Sequence, residues 1–84
     1  MPETMSDRMA DMLKYIAKSV AAEAGVPEVA VLRAIGHALK GKGSRAGRLL
    51  KLARRIGEQE AFTQVFMLAW QEVDQRVENN NISA

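Results

Sequence analysis

Apolar residues recur every three or four positions along almost the whole chain, and no segment alternates apolar and polar residues as a strand does. This repeat places apolar side chains along one side of an α-helix. Glycines interrupt it at Gly25, at Gly41–Gly43 and at Gly57. The pattern therefore predicts an all-α fold, a small bundle of about four helices, in which Gly57 either ends the third helix or kinks it.

The helix boundaries follow from these breaks and from capping residues. Thr4 followed by Asp7 matches a capping box, and Ser44 suits the N-cap of the third helix. The predicted helices cover residues 4–24, from about 27 to the Gly41–Gly43 turn, 44–56 and 58–78.

The length of 84 residues fits one domain, which we assign to residues 1–79, with a frayed tail at 80–84. A chain this short has a thin core, which favours help from a partner or from self-association.

The residue types argue against enzymatic chemistry. The chain has no cysteine and one histidine, His37, which excludes thiolate chemistry, disulfides and multi-histidine metal sites. The stretch Gly36–Lys42 matches the start of a P-loop, but Gly43 stands where a Ser or Thr should bind magnesium. We therefore expect no catalytic residue, no metal and no cofactor.

No apolar run approaches the ~18 residues of a membrane span. The first residues lack the basic region and apolar core of a signal peptide. Both points predict a cytoplasmic protein without a membrane span.

Basic residues are concentrated in one segment, residues 40–55, which contains no acid. The net charge of the chain is +2, so a segment of +7 leaves −5 for the remainder. Such segregation suits the phosphate backbone of a nucleic acid, whereas the simplest alternative is a solvated helix face. The candidate backbone contacts are Lys40, Lys42, Arg45, Arg48, Lys51, Arg54 and Arg55.

Residues 20–35 read VAAEAGVPEVAVLRAI, with Ala21, Gly25, Val26 and Val31 at characteristic spacing. This stretch resembles the helix-turn-helix superfamily of DNA-binding proteins. The resemblance implies a DNA-reading second helix, in which Arg33 is the candidate base contact. Val29, Ala30 and Leu32 occupy positions of the second helix at which DNA-binding members carry polar side chains that contact bases. The alternative is therefore an ordinary helix–glycine–helix corner.

Six consecutive apolar residues, from Val65 to Trp70, cover the whole circumference of the fourth helix. One face can pack within the chain, and the excess points to a homodimer or to a target protein, of which we favour the homodimer. The alternative is a central helix wrapped by the other three. The predicted oligomer interface contains Val65, Phe66, Met67, Leu68 and Trp70.

Two functions follow from these features. The first is a dimeric, non-enzymatic nucleic-acid-binding protein, for which DNA is favoured over RNA as the ligand and a DNA-binding regulatory role is the more specific form. The second is a helical protein-interaction module, an adaptor or inhibitor, that docks on an acidic partner protein through the basic segment. Contact of residues 44–56 with an anionic membrane ranks third, because the apolar face there lacks aromatic residues.

Overall fold

The computed structural model describes the backbone of residues 4–83 and the side chains of residues 4–75. Four α-helices and no strand form this part of the chain, which confirms the all-α prediction. The helices are α1 (Met5–Ala24), α2 (Glu28–Ala38), α3 (Arg45–Ile56) and α4 (Glu58–Ser83).

The predicted caps are present. Asp7 N donates to Thr4 Oγ1 and Thr4 N donates to the Asp7 carboxylate, which completes the capping box of α1. Gly25 ends α1 in the left-handed conformation, with φ of 70°. Ser44 Oγ accepts from Gly47 N at the start of α3, and Gly57 ends that helix rather than kinking it.

Two boundaries differ from the sequence prediction. Helix α2 ends at Ala38 with Leu39 as its C-cap, before the Gly41–Gly43 turn. Helix α4 continues to Ser83, past the predicted end near residue 78, so it includes most of the segment assigned to a frayed tail. Residues 1–3, residue 84 and the side chains from 76 onward lie outside the described part.

All four helices contribute to one apolar core, and no polar side chain among the described residues is buried in it. Met9 and Ile16 of α1, Ile35 of α2 and Leu49 of α3 are among its fully buried side chains. Burial of each such side chain contributes about 1.5–3 kcal/mol.

Helix α4 meets the core along a narrow line of small residues spaced four apart, Ala61, Val65, Ala69 and Val73. Small side chains let α4 approach the other helices closely. The larger Phe62, Phe66 and Trp70 flank this line and are only half-buried. Among the described residues, no helix combines the length and hydropathy that crossing a membrane requires.

Candidate functional site

A cleft of about 520 Å³ opens between the α2–α3 loop, α3 and α4. We call it the basic cleft. Its lining residues are Ala38, Leu39, Lys40, Gly41, Lys42, Arg48, Lys51, Leu52, Arg55, Gln64 and Leu68.

Helix α3 supplies one wall of the basic cleft through Arg48, Lys51, Leu52 and Arg55. These residues are spaced i, i+3, i+4 and i+7, which places them on one side of a helix. The Ser44 cap fixes where this helix begins. The opposite wall comes from α4, where Gln64 and Leu68 are one turn apart.

The α2–α3 loop carries Lys40 and Lys42 into the basic cleft. Gly41 and Gly43 have φ of 128° and 101°, a region that residues with a side chain rarely adopt. A Cβ at Gly41 would also lie 3.7 Å from Cδ of Arg48. The two glycines therefore permit the loop path that brings both lysines beside α3.

Arg48 holds this loop in place. Its Nη1 donates to the carbonyl oxygen of Gly36, at 2.9 Å, and to that of Leu39. The side chain is half-buried, and its Nε is buried without a hydrogen-bond partner among the described residues. A cation at the carbonyl end of a helix interacts favourably with the helix dipole, so Arg48 acts as a C-terminal cap of α2 supplied by α3.

Four exposed cations remain in the basic cleft: Lys40, Lys42, Lys51 and Arg55. We call them the cleft cations. No acidic residue among the described residues lines the cleft. Like charges gathered on one concave surface repel one another, and an anion placed between them relieves that repulsion. The site is therefore suited to an anionic ligand.

The other candidate cations lie elsewhere. Arg33 on α2 and Arg54 on α3 are exposed and do not line the basic cleft. Arg45 is exposed, and its side chain lies over Gly36. A Cβ built on Gly36 would be 3.8 Å from Cγ and 3.6 Å from Cδ of Arg45. The structure thus brings together four of the seven cations of the basic segment as exposed groups, plus Arg48 as the loop support.

The corner between α1 and α2 forms the turn that the sequence predicted at Gly25. Val31 and Ile35 of α2 are fully buried, whereas Glu28, Val29 and Arg33 are exposed. The outer face of α2 therefore presents an apolar side chain next to Arg33.

The apolar run of α4 divides between the core and the surface. Val65 is 0% exposed within the single chain, so it supports the fold and offers no atoms to a partner, which corrects its assignment to an oligomer interface. Phe66, Leu68 and Trp70 are half-buried, and Met67 is 57% exposed.

A second concave surface, the aromatic groove, has a volume of about 270 Å³ and is lined by Tyr15, Phe62, Thr63, Phe66 and Met67. The ring centroids of Tyr15 and Phe62 are 5.9 Å apart, as are those of Phe62 and Phe66. Tyr15 is 60% exposed. No local sequence pattern indicates Tyr15 as part of this groove, because its partner rings lie more than forty positions away in α4.

Three lining residues of the basic cleft, Leu52, Gln64 and Leu68, were not predicted from the sequence as parts of it. The i, i+4 relation of Leu52 to Arg48 was visible, since both residues fall on one side of α3. The position of Gln64 and Leu68 depends on how α4 packs against α3, which no local pattern encodes.

Comparison of the chain with protein-family models, with curated proteins and with solved structures finds no match. The geometry of the described residues therefore carries the functional argument by itself.

Proposed function

We propose that this chain is a non-enzymatic nucleic-acid-binding protein that holds a phosphate backbone in the basic cleft. The observation that supports the proposal is the convergence of the four cleft cations, from a loop and a helix, on one cleft without an acidic lining residue. Backbone phosphates are the repeated anions that such an arrangement suits.

Binding of this kind gains free energy from the release of counterions that had condensed on the nucleic acid. Lysines act as mobile point charges, whereas the guanidinium of Arg55 can bind two phosphate oxygens at once. Phosphate contacts position a protein without selecting a sequence. Arg33, outside the cleft, stays the candidate for a base contact, and DNA stays the first partner to test. A nucleic-acid partner is consistent with the expected cytoplasmic location.

A helical protein-interaction module is the second candidate, and the aromatic groove favours it. Aromatic side chains and arginines dominate the binding energy of many protein interfaces. Phe66 and Met67 in the groove would supply apolar anchors, while the cleft cations on the other side of α4 would meet acidic residues of the partner.

Salt-dependent binding of a fluorescent oligonucleotide, followed by anisotropy, tests the first candidate. The cleft variant is Lys51→Gln combined with Arg55→Gln, and the matched control is Lys14→Gln combined with Lys18→Gln on α1. All four positions are exposed, so the helical circular dichroism spectrum should be unchanged in both variants.

We expect the wild-type affinity to fall as salt rises. The cleft variant should lower the slope of log K against log salt by about 1.4 on single strands or 1.8 on duplex DNA, which is two phosphate contacts. The control should keep the wild-type slope. Absence of any binding at low salt, with both kinds of strand, would exclude the nucleic-acid function and leave the protein-interaction module.

A further inference from the structure

We infer that the basic cleft receives one unstacked nucleotide of a single strand, and that a double helix is the poorer ligand. This inference rests on the proposed function and specifies its substrate. It depends on the shape of the cleft and on three of its uncharged lining residues, Leu52, Gln64 and Leu68.

The cleft has the size of a site for one small group. Its volume of about 520 Å³ lies inside the ~300–1,000 Å³ range of small-molecule pockets. A duplex presents a convex surface, with its bases stacked inside and its phosphates outside, so it can touch the rim of a concave site without filling it. A single strand can turn one base out of the stack and insert it.

The lining of the cleft also contains apolar side chains, which binding of a phosphate does not require. Leu52 from α3 and Leu68 from α4 add apolar side chains to the lining of the cleft. Every base has an apolar planar face, which leucine side chains can cover by van der Waals contact. Many single-strand-binding proteins use aromatic side chains for this purpose, whereas the described lining of this cleft uses leucines. If the ligand were a duplex that contacts the protein through its phosphates alone, the two leucines would make no contact with it.

Gln64 adds a group suited to a base edge. Its side chain is exposed and lines the cleft one turn before Leu68. The amide carries both a donor and an acceptor, which is the combination that the edges of nucleobases present. Cations for the phosphate, leucines for the base face and an amide for the base edge thus surround one space.

The test compares the affinity for a single strand of about 15 nucleotides with the affinity for a duplex of the same length. Both are measured by fluorescence anisotropy in the same low-salt buffer. An oligodeoxythymidine strand represents single-stranded DNA, and an oligouridine strand represents single-stranded RNA. We expect both to bind at least about tenfold more tightly than the duplex. Duplex binding that equals single-strand binding, with the salt slope intact, would overturn this inference while leaving the proposed function in place.

Two variants separate base contact from charge. Gln64→Leu and Leu68→Ala should each weaken single-strand binding about fivefold, the effect of losing one hydrogen bond or part of one apolar contact, without changing the salt slope or duplex binding. Gln59→Leu, the same substitution at an exposed position of α4 outside the basic cleft and the aromatic groove, is the matched control and should have no effect. Equal single-strand affinity of wild type and Gln64→Leu, whose exposed site tolerates substitution, contradicts the inference.

Two competitors identify other occupants. Thymidine monophosphate should displace the strand only at far higher concentration than an unlabelled strand does, because it offers one phosphate group. Displacement at strand-like concentration would assign the cleft to a free nucleotide instead. Displacement by polyglutamate as efficient as by the strand would overturn the inference in favour of an acidic protein segment.

Discussion

The guanidinium of Arg48 on α3 reaches the carbonyl oxygen of Gly36 on α2, with 2.9 Å between Nη1 and that oxygen. Because the same nitrogen also donates to the carbonyl oxygen of Leu39, one side chain closes the end of α2 and anchors the start of the following loop. Lys40 and Lys42 follow Leu39 directly in the chain. The geometry of the basic cleft therefore depends on Arg48, whose own charge is already engaged by hydrogen bonds within the protein.

Replacing Arg48 by Ala should therefore destabilise the protein. The variant leaves two carbonyl oxygens without their charged donor, and hydrogen bonds to charged groups contribute about 1.5–3 kcal/mol. We expect a loss of about 2 kcal/mol in the free energy of unfolding, or about 8–16 °C in Tm. Thermal denaturation measures this loss.

Arg54→Ala is the matched control for Arg48→Ala, since Arg54 is exposed on the same helix. Its effect should stay within about 0.5 kcal/mol, as for most surface positions. Equal stability of the two variants would contradict the capping role of Arg48.

The contrast between these two arginines explains where sequence analysis stops. Local signals predicted the helices: the Thr4 and Ser44 caps and the glycine breaks depend on neighbours within a few positions. From the same local pattern, Arg48 and Arg54 both lie opposite the apolar stripe of α3 and look like equivalent free cations. Arg48 differs because α2 ends beside it, and that proximity arises only when the helices pack.

Val65 and Tyr15 show the same limit for apolar residues. The sequence identified an apolar excess on α4, and Met67 is indeed exposed. Which residues of the run enter the core depends on which side of α4 packs against the other helices, and that side carries Ala61, Val65 and Ala69. The ring of Tyr15 reaches Phe62 only because α1 and α4 pack together.

The Ser44 cap offers a second stability test. Ser44→Ala removes the oxygen that accepts from Gly47 N and should cost about 1 kcal/mol. Ser44→Asp keeps an acceptor at the N-cap and should retain most of the stability. A chemical denaturation series should place Asp near wild type and Ala below it, and the reverse order would show that the cap does not stabilise α3.

Two glycines should respond to alanine with opposite signs. Gly25 has φ of 70°, so a Cβ there is strained although no atom lies within 4 Å of it, and Gly25→Ala should cost about 1 kcal/mol. Gly36 lies inside α2, where a Cβ would make ordinary contacts of 3.6 Å or more. Gly36→Ala should stabilise by about 0.5–1 kcal/mol. Urea unfolding of both variants checks the pair, and a shared sign would contradict the geometry of one of them.

The expected homodimer has a specific test at Met67, which is exposed and lies outside the basic cleft. If the aromatic groove and its neighbours are covered by a second copy, Met67→Glu should bring a charge into an apolar interface and shift the protein to monomer. Analytical ultracentrifugation at high micromolar concentration measures the species. A wild-type monomer at that concentration would rule out the dimer.

Amide chemical-shift mapping shows whether the basic cleft is the nucleic-acid site. A uniformly ¹⁵N-labelled sample is titrated at low salt with an unlabelled single strand of about 15 nucleotides. We predict shift changes in residues 38–42 and 48–55 and at Gln64 and Leu68, with the amides of Tyr15, Phe62 and Phe66 unmoved. Shifts confined to the aromatic groove, or a spectrum that does not change at the highest strand concentration, would show that the basic cleft is not the binding site.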